Sequence, residues 1–342
     1  MTATKFASIL LALITIFYIL IIGKSLLLPL VIAIVMWYIT LAFSSYFEKI
    51  KINKKNIPRF VALIMSFFGL GLVLWIIISI LQFNIGRMIV KAPEYQEKVY
   101  LLVSSSLSFF GVSEIPSLSN MINQLSFSRL LSFMTDLLTK LTSYIGLAGV
   151  YFVFIFLEYK TFSKKIEKAL NNPERFSKFC EVISKIDRDV KTYVSIKTGM
   201  SLLTAVLSYI ILALVGIDFP LFWAMLIFIL NYIPTIGSII AVTFPLLLSL
   251  IQFSGLTHFF ILLILLILVQ VAVGNILEPK LMGKSLNLSP LVIILSLGLW
   301  GAVWGVVGMF LSIPIMVIVN IILAKIPQTR ALAIMFSAKG KV

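Results

Sequence analysis

Within the long apolar stretches of the C-terminal half, polar residues are few, and each could do a definite kind of work. Glu278 is the one acidic residue that adjoins these stretches on the side predicted to be cytoplasmic. A carboxylate there could carry a proton or a cation, because ionisable groups at membrane depth are costly and are kept for moving ions or substrates. An interfacial ion pair with Lys280 is the other use open to it. Asn231 and Asn275 supply neutral donors and acceptors beside two breaks in the apolar pattern, suited to a polar uncharged ligand or to capping a helix end. Gln270 lies inside a span, where it can line a pathway or bond to a neighbouring helix. The run NYIPTIG brings Pro234, Thr235 and Gly237 together after Asn231. Proline lacks an amide hydrogen and glycine tolerates positive φ, so a helix must open there. The released backbone groups are tolerated at membrane depth only where protein or water receives them. A second such place runs through Gly298, Gly301, Gly305 and Gly308 to Pro314, with Trp300 and Trp304 either closing over a ligand or anchoring at an interface. Asn231, Pro234, Thr235, Gly237, Gln270, Asn275, Gly301 and Gly305 are therefore the candidate substrate pathway, with Glu278 as the coupling group.

Other chemistries lack their parts. The single cysteine, Cys180, cannot form an intrachain disulfide or a multi-thiolate metal site. His258 stands alone at the outer end of a helix, placed either to sense pH or to sit on the surface without a partner. The GKS tripeptides at Gly23 and Gly283 lack the first glycine of a phosphate loop, since Tyr18 and Glu278 occupy that position. No H-E-x-x-H or G-x-S-x-G is present, so no enzyme, cofactor or metal centre is expected.

The elements that must hold these residues are membrane helices. The chain is 61% hydrophobic and 12% charged, a balance possible only with lipid as the main solvent. Its net charge of +15 sits in clusters between apolar runs, as in cytoplasmic loops, which makes nucleic acid the weaker partner. Six runs have the length of a span: Phe6–Ile22, Leu26–Phe43, Phe60–Leu81, Leu141–Leu157, Thr198–Val215 and Thr257–Leu277. Ser44–Arg59 holds five basic residues, and Glu158–Lys197 holds ten, which places both inside, while Gln82–Lys140 is dilute enough in charge to be exported. With Asp218 outside and Lys280 and Lys284 inside, the stretches Leu221–Phe253 and Leu288–Ala324 each begin and end on one side. The expected fold is thus an all-α polytopic membrane protein with six through-spanning helices and two re-entrant helical hairpins. Helix plus hairpin recurs from opposite faces as an inverted repeat, an arrangement common in secondary transporters. The expected regions are a scaffold over 1–81, an exported amphipathic helical segment over 82–140 and a fourth span over 141–157. A cytoplasmic arm over 158–197, a transport core over 198–324 and a cytoplasmic tail over 325–342 complete the chain.

The stretches FILNYIPTIGSIIA, GNILEPKLMGKSLNLSPLVIILSL and WGVVGMFLSIP occur in that order. On these residues, roughly Val190 to Ala324, the chain resembles the autoinducer-2 exporter family, also called the PerM-like permeases. The N-terminal half is similar in layout alone. The resemblance implies export of a small furanone-type signal, as in some members, or exchange of sodium or lithium for protons, as in others. It also implies a bacterial inner-membrane location and a homo-oligomer. A membrane scaffold or receptor acting through the arm is the reading from another class.

Cysteines placed singly in a Cys180→Ser background should report this topology: both termini and the arm 158–197 labelled from the cytoplasm, and position 110 from outside. Labelling of position 110 from the cytoplasm alone would overturn it.

Overall fold

The computed structural model describes residues 3–52, 55–109, 127–253, 255–282 and 287–340, and it is almost entirely helical. In chain order the helices are α1 (Ala3–Ile22), α2 (Lys24–Phe47), α3 (Arg59–Phe109), α4 (Phe127–Leu170), α5 (Pro173–Val215), α6 (Pro220–Leu230) and α7 (Ile236–Gln252). They continue with α8 (Leu256–Val269), a π-helical run Gln270–Leu277, α9 (Glu278–Met282), α10 (Pro290–Lys325) and α11 (Arg330–Phe336). A two-residue antiparallel ladder, β1 (Lys51–Ile52) with β2 (Lys55–Asn56), lies between α2 and α3. Lys284, on which the expected orientation partly rests, and residues 110–126 of the expected exported segment lie outside the described residues.

Among the described residues six helices are long and apolar enough to cross a membrane: Lys24–Phe47, Arg59–Ser104, Thr142–Tyr159, Pro173–Val215, Leu256–Met282 and Pro290–Lys325. The chain is a multi-pass membrane protein. Its long helices outrun the bilayer. α3 has 51 residues, roughly 76 Å at about 1.5 Å per residue, against a hydrocarbon core of about 30 Å. The region limits expected at Leu81, Lys140, Leu157 and Lys197 consequently fall inside α3, α4 and α5, where no helix ends.

The chain divides into two compact units. The first comprises Met1–Phe68, Ser143–Ile196 and Leu281–Val342. One of its cores joins Tyr38 of α2 and Ile186, Val190 and Val194 of α5 to Ile313, Val317 and Ile321 of α10. There the Tyr38 hydroxyl donates to Asp187 at 2.9 Å. A second core sets Leu28 against Trp300, Val303, Trp304 and Leu311.

α10 is a hairpin of two helical arms. Ser289 caps its start by accepting from the Val292 amide at 3.2 Å, and Pro290 fills the first turn, where no amide is needed. Gly305 then breaks it at φ 65° and ψ −147°, a region that essentially only glycine enters. The returning arm passes so close that a Cβ on Gly308 would lie 1.9 Å from the Trp300 carbonyl oxygen. Further down, the Ser296 hydroxyl donates to the Ser312 carbonyl at 3.2 Å. Trp300 and Trp304 are buried at this bend, which sets aside the exposed interfacial anchor as their use. The Trp304 indole N–H donates at 3.0 Å to the Leu20 carbonyl, in the last turn of α1, where carbonyls lack partners in their own helix.

The second unit comprises Gly69–Thr142 and Lys197–Lys280. α3 contributes Leu81, Ile85, Met88, Ala92 and Tyr95, whose steps of four and three residues form one stripe of the helix. The stripe packs with Phe222, Trp223 and Ile227 of α6, Ala241 and Leu246 of α7, and Leu262 and Leu266 of α8. α6 and α7 form the second hairpin, and a Cβ on Gly237 would stand 1.8 Å from the Leu230 carbonyl oxygen. Gln252, at the end of α7, closes the open end: it donates to the Gly216 carbonyl at 2.8 Å and accepts from the Asp218 amide at 2.9 Å.

Both glycine contacts are with backbone, which cannot swing aside. Gly237→Ala and Gly308→Ala should each destabilise the protein by about 1–3 kcal/mol, as overpacking does. Gly71→Ala, whose Cβ meets nothing within 4 Å, should be neutral or stabilise by up to about 1 kcal/mol. Thermal unfolding in detergent measures all three, and equal melting would refute the close approach.

Candidate functional site

Lys197, Ser201, Thr204 and Ser208 recur on α5 at steps of four, three and four, the spacing of one helix face. All four are buried, with 0–3% of their surface exposed. Small hydroxyl residues let helices approach closely, so this face suits packing against other membrane helices. Its first turn also gathers polar partners. The Lys197 ammonium donates to Glu278 Oε1 at 2.6 Å. The Thr198 and Tyr232 hydroxyls lie 2.7 Å apart, and the Asn231 amide donates to Ser201 Oγ at 3.3 Å. One turn of α5 thus holds both the α6–α7 bend and the residue that follows the π-helical run.

The Lys197–Glu278 pair is the chief electrostatic feature of this turn, with side chains only 4% and 14% exposed. Taking either ion out of water alone costs several kcal/mol, which the partner's attraction offsets at this distance. The sequence reading offered Lys280 as a partner for Glu278, and the structure instead pairs it with Lys197, leaving Lys280 exposed. Helix geometry explains the difference: residues two apart point to different sides, so 278 and 280 of α9 do not face each other. Lys197, counted in the sequence as one more charge of the cytoplasmic arm, is a buried counter-ion.

Gln270 opens the π-helical run and Glu278 follows its end. Such i→i+5 segments are rare and occur frequently at functional sites. The Gln270 side chain lies along the run, its Oε1 3.4 Å from the position of a Cβ on Gly274. Its Nε2 is buried and has no hydrogen-bond partner among the described residues. A buried donor left unspent is costly and can be satisfied by water or a polar solute.

The α6–α7 bend carries the strained backbone of this region. Thr235 sits at φ 61° and ψ −60°, and the Ile236 amide donates across it to the Pro234 carbonyl at 2.6 Å. This is a γ-turn of the rare positive-φ kind. A β-branched residue seldom adopts such a φ, and the strain, on the order of 1–3 kcal/mol, persists only where the surroundings impose it. Here the contact of Gly237 with the Leu230 carbonyl and the hold of α5 on Asn231 and Tyr232 do so. Asn231 ends α6, but its side chain reaches α5 and caps nothing.

Of the predicted pathway residues, Asn231, Pro234, Thr235 and Gly237 form this bend, and Gln270 leads the run that delivers Glu278. Asn275 belongs to the same run and is exposed. Gly301 and Gly305 lie in the first unit, at the bend of α10, where a Cβ on Gly301 would come 2.8 Å from Met309. His258 is exposed but stacks on Phe253, ring centroids 4.0 Å apart, so it has an aromatic neighbour that the sequence did not suggest. Sequence reasoning passed over Lys197, Thr198, Ser201 and Tyr232. For Lys197 and Ser201 the available signal was the four-three-four polar spacing that runs on to Thr204 and Ser208; Thr198 and Tyr232 lie off it.

Helices broken inside apolar stretches, a buried ion pair beside a π-helical run and the unpartnered Gln270 donor are features that could receive a polar solute. A protein of Borreliella burgdorferi, named as a candidate transport protein, is 31% identical over 311 residues, covering 90% of this chain and 83% of its own length. YhhT of Escherichia coli, also named as a candidate transport protein, is 29% identical over 268 residues, 77% of this chain and 75% of its own. The AI-2 transport protein TqsA of Escherichia coli is 34% identical over 217 residues, 62% of this chain and 61% of its own. The family described as "AI-2E family transporter" matches residues 8–328, and the chain belongs to that family of membrane transporters.

Proposed function

We propose that the protein is a secondary transporter that exports a small polar organic molecule, with a furanone-type signal of the AI-2 kind as the candidate substrate. Two things support the substrate class. TqsA is named for AI-2 transport, and the pathway residues Asn231, Gln270 and Asn275 are neutral, as an uncharged polar solute requires. In this reading the α6–α7 and α10 hairpins are re-entrant, entering the bilayer from opposite faces as an inverted repeat within the transport core 198–324. The N-terminal helices form the scaffold, 82–140 lies outside, and both termini and the arm lie in the cytoplasm. The protein works in the cytoplasmic membrane as a homo-oligomer.

The observation that carries the mechanism is the buried Lys197–Glu278 pair. Glu278 is the coupling residue. When it takes up a proton or a cation, the attraction to Lys197 weakens and a buried ammonium is left to be compensated. Lys197 shares its turn with the groups that hold Asn231 and Tyr232, so the charge state of Glu278 reaches the strained bend through α5.

Flux of AI-2 from proteoliposomes, with and without a pH gradient, tests this directly. Glu278→Gln should cut gradient-driven flux by about tenfold or more, a loss equivalent to about 1.4 kcal/mol, while exchange without a gradient survives. Driven flux at the wild-type rate would return Glu278 to a purely structural role. Stability separates the two uses. Lys197→Met alone should cost about 3–5 kcal/mol, and Lys197→Met with Glu278→Met should regain most of it. The double variant should fold yet lack driven flux. Movement of sodium or lithium against protons, with no AI-2 movement, would favour a cation antiporter instead.

A further inference from the structure

A separate cavity of about 540 Å³ opens in the second unit between α3 and the α5–α6 connection, within the size range of small-molecule sites. It uses none of the residues assigned to transport. Its lining includes Asn84, Arg87 and Lys91 of α3, together with Asp218 and Phe219. The Arg87 guanidinium lies 5.8 Å from the centre of the Phe83 ring and 5.7 Å from that of Phe219. Both distances are within cation–π reach, and a guanidinium so placed still has five N–H donors to offer a ligand. No carboxylate lies within ion-pair reach of Arg87 among the described residues.

Lys91 is differently placed. Its ammonium also lies 5.7 Å from the Phe219 ring centre, but it donates to Asp218 Oδ2 at 2.9 Å. The Tyr95 hydroxyl donates to the same oxygen at 2.6 Å. Burial alone would raise the Asp218 pKa, yet hydrogen bonds from Tyr95 and Lys91, with the nearby positive charges, hold it below the ordinary aspartate value. Asp218 therefore stays ionised and engaged with Lys91, so Arg87 carries the pocket's uncompensated charge. Phe219 accepts a left-handed backbone, φ 58° and ψ 47°, directly before Pro220. A non-glycine residue there is uncommon, and here it puts one ring beside both cations.

The rim is apolar and open: Phe83 and Leu221 remain exposed. An exposed cation beside two aromatic rings and apolar side chains, on a membrane protein, fits a ligand that joins a phosphate to hydrocarbon. We infer that this pocket binds a phosphate-bearing anion at Arg87, as the phosphodiester headgroup of an anionic lipid provides. The guanidinium fork matches phosphate oxygens, and the lipid chains follow the apolar rim. Free phosphate shares the recognising chemistry and is the other source.

The purified full chain in detergent, titrated with phosphatidylglycerol, diacylglycerol or inorganic phosphate, tests the site by native mass spectrometry and thermal unfolding. Phosphatidylglycerol should bind the wild type about tenfold more tightly than Arg87→Gln, the loss expected of a charge-assisted hydrogen bond. Arg87→Lys should recover part of it. Diacylglycerol, with the same chains and no phosphate, should not distinguish the variants. An Arg87-dependent response to inorganic phosphate without one to the lipid would keep the anion site and assign it to a soluble ligand. Equal binding of both phosphate probes by wild type and Arg87→Gln, with unliganded melting unchanged, would overturn the proposal.

Discussion

A helix that breaks within an apolar stretch leaves backbone donors and acceptors without partners in their own helix, and the rest of this structure is organised around that demand. Both hairpins meet it in the same way. A residue with unusual backbone angles, Thr235 in one and Gly305 in the other, turns the chain, and a glycine nearby lets the two arms touch at backbone distance. The surrounding side chains then complete the enclosure. Tyr232 and Asn231 reach α5, and Trp304 reaches a last-turn carbonyl of α1.

Charge obeys the same economy of exposure. The described basic residues mostly stand at the surface, where a single ion pair contributes little. Lys197 is the departure, buried at the start of a hydroxyl-lined face and neutralised by one carboxylate. Together with Thr198 and Ser201 it fixes three neighbours of different kinds, a carboxylate, a phenol and a carboxamide, to positions 197, 198 and 201 of one helix. Each is a separate pair, and together they gather the α6–α7 bend and Glu278 onto one turn of α5.

Much of the architecture was legible in the residues. Apolar run length marked the helices, Pro234 with Gly237 marked one bend, and the series Gly298, Gly301, Gly305 and Gly308 marked the region of the other without singling out Gly305. The helix limits were not legible, because mean hydropathy falls after about 20 residues while a helix such as α3 runs on with its apolar stripe packed against α6, α7 and α8. Side-chain partners were less accessible still. Glu278 could be singled out by scarcity, but its partner stands 81 residues earlier, and no local pattern reports such a distance. The π-helical run left no signature either, since QVAVGNIL reads as ordinary membrane helix. Lys197 was hidden by its neighbours: ten basic residues in a row of 40 invite the reading that all of them face water.

The π-helical run has a consequence for angular register. A π turn takes in one more residue than an α turn, and each residue of an α-helix advances the chain by about 100° around its axis. Were Gln270–Leu277 rewound to α spacing, every residue beyond it would rotate by roughly that angle for each extra residue absorbed. Glu278, the first residue beyond, would then point away from the side on which Lys197 stands. The 2.6 Å contact between them is accordingly a gauge of winding as well as of charge, closed only at one pitch of the helix that carries it.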